Sequence, residues 1–262
     1  MEDFAVVVTS YDGFSDIWPI AKSLFDRHWP DRTWPMYWMS NTRPVPEGTL
    51  PLHVYPDRQW CGNILAVMDS LPPHVLVWCE ELFLLGPLNN ELLLRGAELL
   101  KNDDQLASLA VGHYYYRHGF PGGDEYGNAD FSTFHGYAEA STQPTLWRSS
   151  VLKEIMIAVQ EIADREYKNN YPANAGYSPA YTTAMEQKAT DVLWARFPDA
   201  KTLRPKNQRI LGRYAQNAIM YGKWRQAAVD VLASLNIDAN AAVRTIIGSG
   251  YDGFVSDDES IV

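Results

Sequence analysis

Short, continuous apolar runs alternate with amphipathic stretches through the first half of the chain. Phe4-Ala5-Val6-Val7-Val8-Thr9-Ser10 has the length and β-branched content of a strand buried on both faces. Tyr11-Asp12-Gly13-Phe14 ends it with a turn signal. Ser15 or Asp16 can cap the helix that follows, whose apolar positions are Ile17, Ile20, Ala21, Leu24 and Phe25; Pro19 fits its first turn. Residues 35–41 predict a second strand, and Leu52-His53-Val54-Tyr55 a short third one after a proline-rich loop. An amphipathic helix carrying Ile64, Leu65, Val67, Met68 and Leu71 comes next. Val75-Leu76-Val77-Trp78-Cys79 repeats the buried-strand pattern, meets Glu80 and Glu81, turns apolar again over residues 82–85, and breaks at Gly86-Pro87. Residues 90–100 predict a helix and 106–111 a strand; further helices are expected at 152–162, from 177 on, and at 226–235 and 239–247. Strands alternating with helices specify an α/β fold, a mainly parallel central sheet flanked by helices with a helical C-terminal part. One domain is expected over residues 1–250, followed by a polar, acidic tail at 251–262 expected to be disordered.

Charge narrows the function classes. The 262 residues hold 22 Lys and Arg against 32 Asp and Glu, a net charge of −10, which disfavours a protein gripping nucleic acid through phosphate neutralisation. No apolar run approaches the ~18 residues of a membrane helix. The acidic Met1-Glu2-Asp3 opening does not read as a signal peptide, so a cytoplasmic setting is expected. The two cysteines, Cys61 and Cys79, sit in apolar contexts and are expected as reduced thiols.

The acid pair is the first candidate for chemistry. Carboxylates at the end of a buried strand are costly unless positive charge or hydrogen bonds meet them. In open α/β sheets the crevice beyond the strands' carboxyl ends is where ligands bind. The plain alternative is a strand-end pair facing water. Strand, polar turn and helix at TSYDGFSD can bring backbone N–H groups to a phosphate or nucleotide, making Thr9, Ser10 and Asp12 candidates. Neither a dinucleotide fingerprint nor a P-loop is present. Asp57 can hold a ribose hydroxyl and Trp60 can cover an apolar ring face, with Asn63 beside them; the alternative is a helix N-terminus with a buried Trp. The Gly- and Tyr-rich stretch 113–127 suits a lid or acceptor flap. His113, His118 and His135 match no common metal-ligand spacing.

TSYDGFSDIW, DRQW…NILAVMDSL and VLVWCEELFLLGPLNN together resemble a family of small bacterial and viral sugar transferases with the GT-A fold. That family joins an Asp-x-x-Trp helix start to a strand ending Glu-Asp-(Phe/Tyr)-Phe-Leu, its acidic diphosphate and metal site. The resemblance covers residues 4–90 well and 137–224 loosely. It implies a nucleotide-sugar half (1–112), an acceptor half (113–225) and C-terminal helices (226–250). It places Asp57 and Trp60 near the nucleoside and Glu80 and Glu81 at the diphosphate. Glu81 would be a ligand for Mg²⁺ or Mn²⁺, where the family usually has Asp; the extra methylene moves the carboxylate by ~1.5 Å and leaves metal dependence and activity open. Gln143 and Trp147, in a segment resembling Gln-x-x-(Ile/Leu)-Trp-(Arg/Lys), would line the acceptor side. Arg148 would offer charge to the leaving diphosphate, Glu186 would be the base, and Lys223 or Arg225 could add positive charge. The implied activity is transfer from a nucleoside diphosphate sugar, UDP preferred, to a hydroxyl of a glycan or small molecule, with modified nucleic acid a weaker option. A catalytically silent sugar-nucleotide binder and a nucleotidyltransferase stay open; the absence of Lys and Arg from the TSYDGFSD turn counts against the latter.

Overall fold

The computed structural model describes residues 3–111, 125–126, 130–134, 143–170, 179–206, 210–211, 214, 218–220, 223–239, 244 and 246–247, and for some of these, Glu186 among them, the backbone alone. Among the described residues nine strands form the main sheet: β1 (Phe4–Thr9), β2 (Met36–Ser40), β3 (Leu50–His53), β4 (His74–Cys79), β5 (Leu106–Ala110), β6 (Glu125–Tyr126), β7 (Phe131–Phe134), β8 (Thr145–Arg148) and β9 (Lys201–Pro205). Their order is β3-β2-β1-β4-β8-β5-β9-β7-β6. β8 runs antiparallel between β4 and β5, and β7 antiparallel to β9; the other strands share one direction. This is the α/β architecture with a mostly parallel sheet that the hydrophobic pattern predicts.

Helices cover both faces. Val6 and Val8 of β1 and Trp78 of β4 pack with α1 (Trp18–His28), α3 (Asn90–Asn102) and residues 82–88. Val7, Val75 and Val77 pack on the other face with α2 (Gln59–Val67), α4 (Ser149–Asn170) and α5 (Pro179–Arg196). Burial on both faces is why these strands are apolar without alternation. Glycine permits the closest helix approaches. A Cβ at Gly62 of α2 would lie 2.9 Å from the Gln160 side chain of α4 and 2.7 Å from Arg58 Cβ. One at Gly96 of α3 would lie 2.6 Å from Leu109 Cδ2 in β5.

The apolar run after the acid pair is core. Leu82, Phe83, Leu84, Leu85 and Leu88 are all buried, and α3 is capped by the Asn89 side chain accepting from Leu92 N–H at 3.0 Å. A C-terminal segment runs antiparallel along this stretch, with bridges Leu84–Tyr214 and Leu88–Leu211 and an Ala218 N–H bond to the Glu81 carbonyl at 3.3 Å. It leads to a small sheet of β10 (Ile219–Met220), β11 (Lys223–Arg225) and β12 (Ile246–Ile247), and to α6 (Gln226–Ser234) between them in sequence.

Two expectations need correction. The N-cap of α1 is Ile17, with no side-chain capping bond, because Asp16 is engaged elsewhere. The helix expected to run to residue 247 does not: Ile246 and Ile247 pair in parallel with Trp224 and Arg225. The tail 251–262, the three histidines 113, 118 and 135, and residues 113–124 lie outside the described residues.

Candidate functional site

From β1 the sheet grows one way, through β2 to β3, and then the other, to β4. In an open parallel sheet such a reversal opens a crevice at the strands' carboxyl ends. Thr9 and Cys79, which end β1 and β4, are register partners, and the Glu80 N–H donates to the Thr9 carbonyl at 3.4 Å. Ser10 and Glu80 therefore leave the sheet at one level, at this reversal point.

Glu80 is buried, at 7% exposure, and Glu81 is half-buried. Burial raises the Glu80 carboxyl to about 8, and the neighbouring Glu81 charge adds to this; its own backbone N–H, the Ser10 hydroxyl and Arg244 offset part of the rise. Burial raises Glu81 to about 7, with Arg244 opposing. Ser10 is held for this contact: its Oγ accepts the Trp18 indole N–H at 2.6 Å while the hydroxyl bonds Glu80.

Arg244 brings positive charge to bear on both acids, and the sequence reading did not name it. It comes from the segment read as a C-terminal helix, where no motif marks it. Its Nε and Nη2 donate to the two carboxylate oxygens of Asp16, each at 2.6 Å, and Nη2 also donates to the Gly13 carbonyl at 2.7 Å. Its guanidinium lies 4.6 Å from the Phe14 ring centroid. Tyr11, 40% exposed, sits 5.1 Å from Phe14 ring to ring. Its phenol is raised by burial and then by Glu80, with Asp57 and Glu81 adding to this and Arg244 opposing. The Tyr11 phenol thus stands within reach of the charges of Glu80, Glu81, Asp57 and Arg244.

The other predicted residues divide. The Trp60 indole N–H donates to Thr9 Oγ1 at 3.2 Å, tethering the ring at the end of β1. Asn63 is buried; it donates to Asp57 at 2.8 Å and accepts the Arg58 N–H at 2.8 Å, folding the loop onto the start of α2. The Asp12 carboxylate is spent on structure. It accepts the N–H groups of Asn41, Thr42 and Arg43 and the Thr42 hydroxyl, at 2.7 to 3.2 Å. Partial burial pushes Asp12 up, but the Thr42 hydroxyl and those N–H groups outweigh it, leaving it below the usual carboxylate range.

Arg148 is not brought to the acids. It pairs with His74 at the start of β4, six positions before Glu80, which is about 20 Å along a strand. Its guanidinium donates to the carbonyls of Leu100, Asp103 and Leu106, closing the α3–β5 turn. Trp147, 3% exposed, points into the core beneath α4 and cannot face an acceptor. Gln143 accepts the Tyr214 hydroxyl at 2.9 Å at the carboxyl-end side of the sheet. Glu186 lies on α5, its side chain outside the described residues. Lys223 and Arg225 lie in β11, and the cation that opposes burial at Glu81 is Arg244 instead.

Among the described residues no group of three or more His, Cys, Asp or Glu side chains is placed to hold a metal. Two carboxylates nonetheless fit Mg²⁺ or Mn²⁺, which take oxygen ligands and are commonly held by one or two carboxylates plus substrate phosphates. A buried and a half-buried acid whose pKa values are raised by burial suit a cation that arrives with a substrate. A separate concavity of about 720 Å³, between α1 and residues 43–48, is lined by none of the predicted site residues. No described helix is long and apolar enough to cross a membrane.

No family model and no curated protein matches the chain. Solved structures do. A crystal structure of S. aureus TarS 1–349 is 11% identical, with TM-score 0.44, over 81% of this chain and 59% of that one. The apo-form glycosyltransferase GlyE of Streptococcus pneumoniae TIGR4 is 13% identical, with TM-score 0.40, over 78% and 45%. A second S. aureus TarS structure is 12% identical, with TM-score 0.43, over 81% and 36%. The chain thus spans less than two thirds of the length of each.

Proposed function

We propose that the chain is a glycosyltransferase that moves a sugar from a nucleoside diphosphate sugar, a UDP-sugar first, to a hydroxyl acceptor. The observation that carries this reading is the placing of Glu80 and Glu81 at the sheet's reversal point, beside Ser10 and within the field of Arg244. When a cation displaces their protons, acids there favour a cation-bridged diphosphate over a bare anion. The tethered Trp60, with Asp57 and Asn63, stands at the same end of β1 and suits a nucleoside.

Glu80 and Glu81 are the residues that would hold Mg²⁺ or Mn²⁺, and that ion, when bound, supplies charge against the departing diphosphate. In the reaction an acceptor oxygen bonds to the anomeric carbon, its proton passes to a base, and the bond to the diphosphate breaks with its electrons on the diphosphate oxygen. Glu186 remains the candidate base by resemblance. Arg148 and Trp147 take no part in this reading, because they serve the turn and the core.

The test is release of UDP from a panel of UDP-sugars with Mn²⁺. Turnover that falls by ~100-fold or more in Glu80→Gln and Glu81→Gln supports the reading; that is the loss expected when a charge-stabilising group is removed. A wild-type protein that neither binds nor cleaves any of the panel overturns it. Tight binding without release selects the silent binder, the reading that Glu81 in place of Asp favours.

A further inference from the structure

The Arg244 guanidinium reaches the site from far along the chain, 228 residues from its partner Asp16. Two independent contacts fix it to the turn after β1: the two-point ion pair with Asp16 and the packing over Phe14. An Arg–carboxylate fork of this kind fixes both position and plane. Side-chain exposure in the pair is low, 10% for Arg244 and 18% for Asp16, so the contact is shielded from screening by salt. Such anchoring is more than a surface ion pair needs, and with the bond to the Gly13 carbonyl it holds one cation on the turn that follows Ser10, next to the strand end where the Glu80 N–H meets the Thr9 carbonyl.

A diphosphate entering this crevice would meet two acids on its β4 side. Attraction has to come from an ion it carries or from the protein. The turn after β1 offers no Lys or Arg of its own. We infer that Arg244 is the residue that grips the diphosphate of the donor, and that Asp16 and Phe14 are its positioning residues. The inference rests on the donor reading above and extends it to a residue that no motif marks. It brings Arg244, from a stretch expected to be helix, to the donor site.

Calorimetric titration with UDP and with uridine, each with Mn²⁺, tests it on the full chain. Wild type should bind UDP more tightly than uridine. Arg244→Gln should weaken UDP binding by about ten- to a hundredfold, the worth of a hydrogen bond to a charged group, and leave uridine binding within about twofold. Arg244→Lys, which keeps charge but loses the fork, should fall between them, and it decides the matter if the Gln variant does not fold. Asp16→Asn should raise KM for a UDP-sugar more than it lowers kcat, because Asp16 acts through Arg244, whose hold on the diphosphate it steadies. If wild type binds UDP and both Arg244 variants bind it equally well, Arg244 has no such role while the donor reading stands. If wild type binds no UDP, the donor reading and this role fall together.

Discussion

A buried carboxyl beside another carboxyl is a costly arrangement. Glu80 and Glu81 titrate from the ordinary 4.5 up to about 8 and about 7. A raised acid contributes stability that is full below its unfolded-chain value and is lost as pH rises through the folded one. The ligand-free protein should therefore lose melting temperature between pH 5 and pH 8.5, and Glu80→Gln should flatten that fall. His74, lowered chiefly by burial, acts in the opposite sense and costs stability as pH drops below 6.5, so the difference between the two melting curves is the measure. A wild-type curve parallel to that of Glu80→Gln would show that the acid is not buried as described. Asp12 gives a second outcome at this scale. Asp12→Ala strips four acceptor contacts from the loop after β2 and should cost about 1.5–3 kcal/mol in a denaturant melt. The sequence shows an acid in a turn; it does not show that the carboxylate faces the loop after β2, because its donors lie about thirty residues away.

Between elements, fit decides. α2 and α4 approach where Gly62 leaves room, and Gly62→Ala should overpack them and cost about 1–3 kcal/mol by chemical denaturation. Arg148 ties α3 to β5 through three carbonyls, so Arg148→Met should lower the melting temperature yet leave UDP affinity unchanged. A loss of UDP affinity in a folded Arg148→Met would restore its place near the diphosphate. The segment around Arg148 reads well as a motif in sequence. Its direction cannot be read there: β8 enters antiparallel between β4 and β5, which carries Arg148 to the far end of the sheet. The runs that did read clearly, in β1, β4 and α3, are those where a local pattern, an unbroken apolar run or a helical period, accounts for burial.

For the whole molecule, ligand binding and stability are linked. UDP with Mn²⁺ at a hundred times its Kd should stabilise the fold by ~2.7 kcal/mol, and the rise in melting temperature should vanish on chelation if the acids work through a cation. An unchanged shift under EDTA would assign the diphosphate to protein charge alone. The hydrophobic pattern by itself determined the two-sided strands, the helices between them and the position of the acid pair at a strand end, since burial leaves its period in neighbouring residues. Only the tertiary structure decided which charges meet. The strand order that puts Ser10 against Glu80, the reversal of β8 and the return of Arg244 to Asp16 all join residues far apart in sequence, and no local period records a contact of that kind.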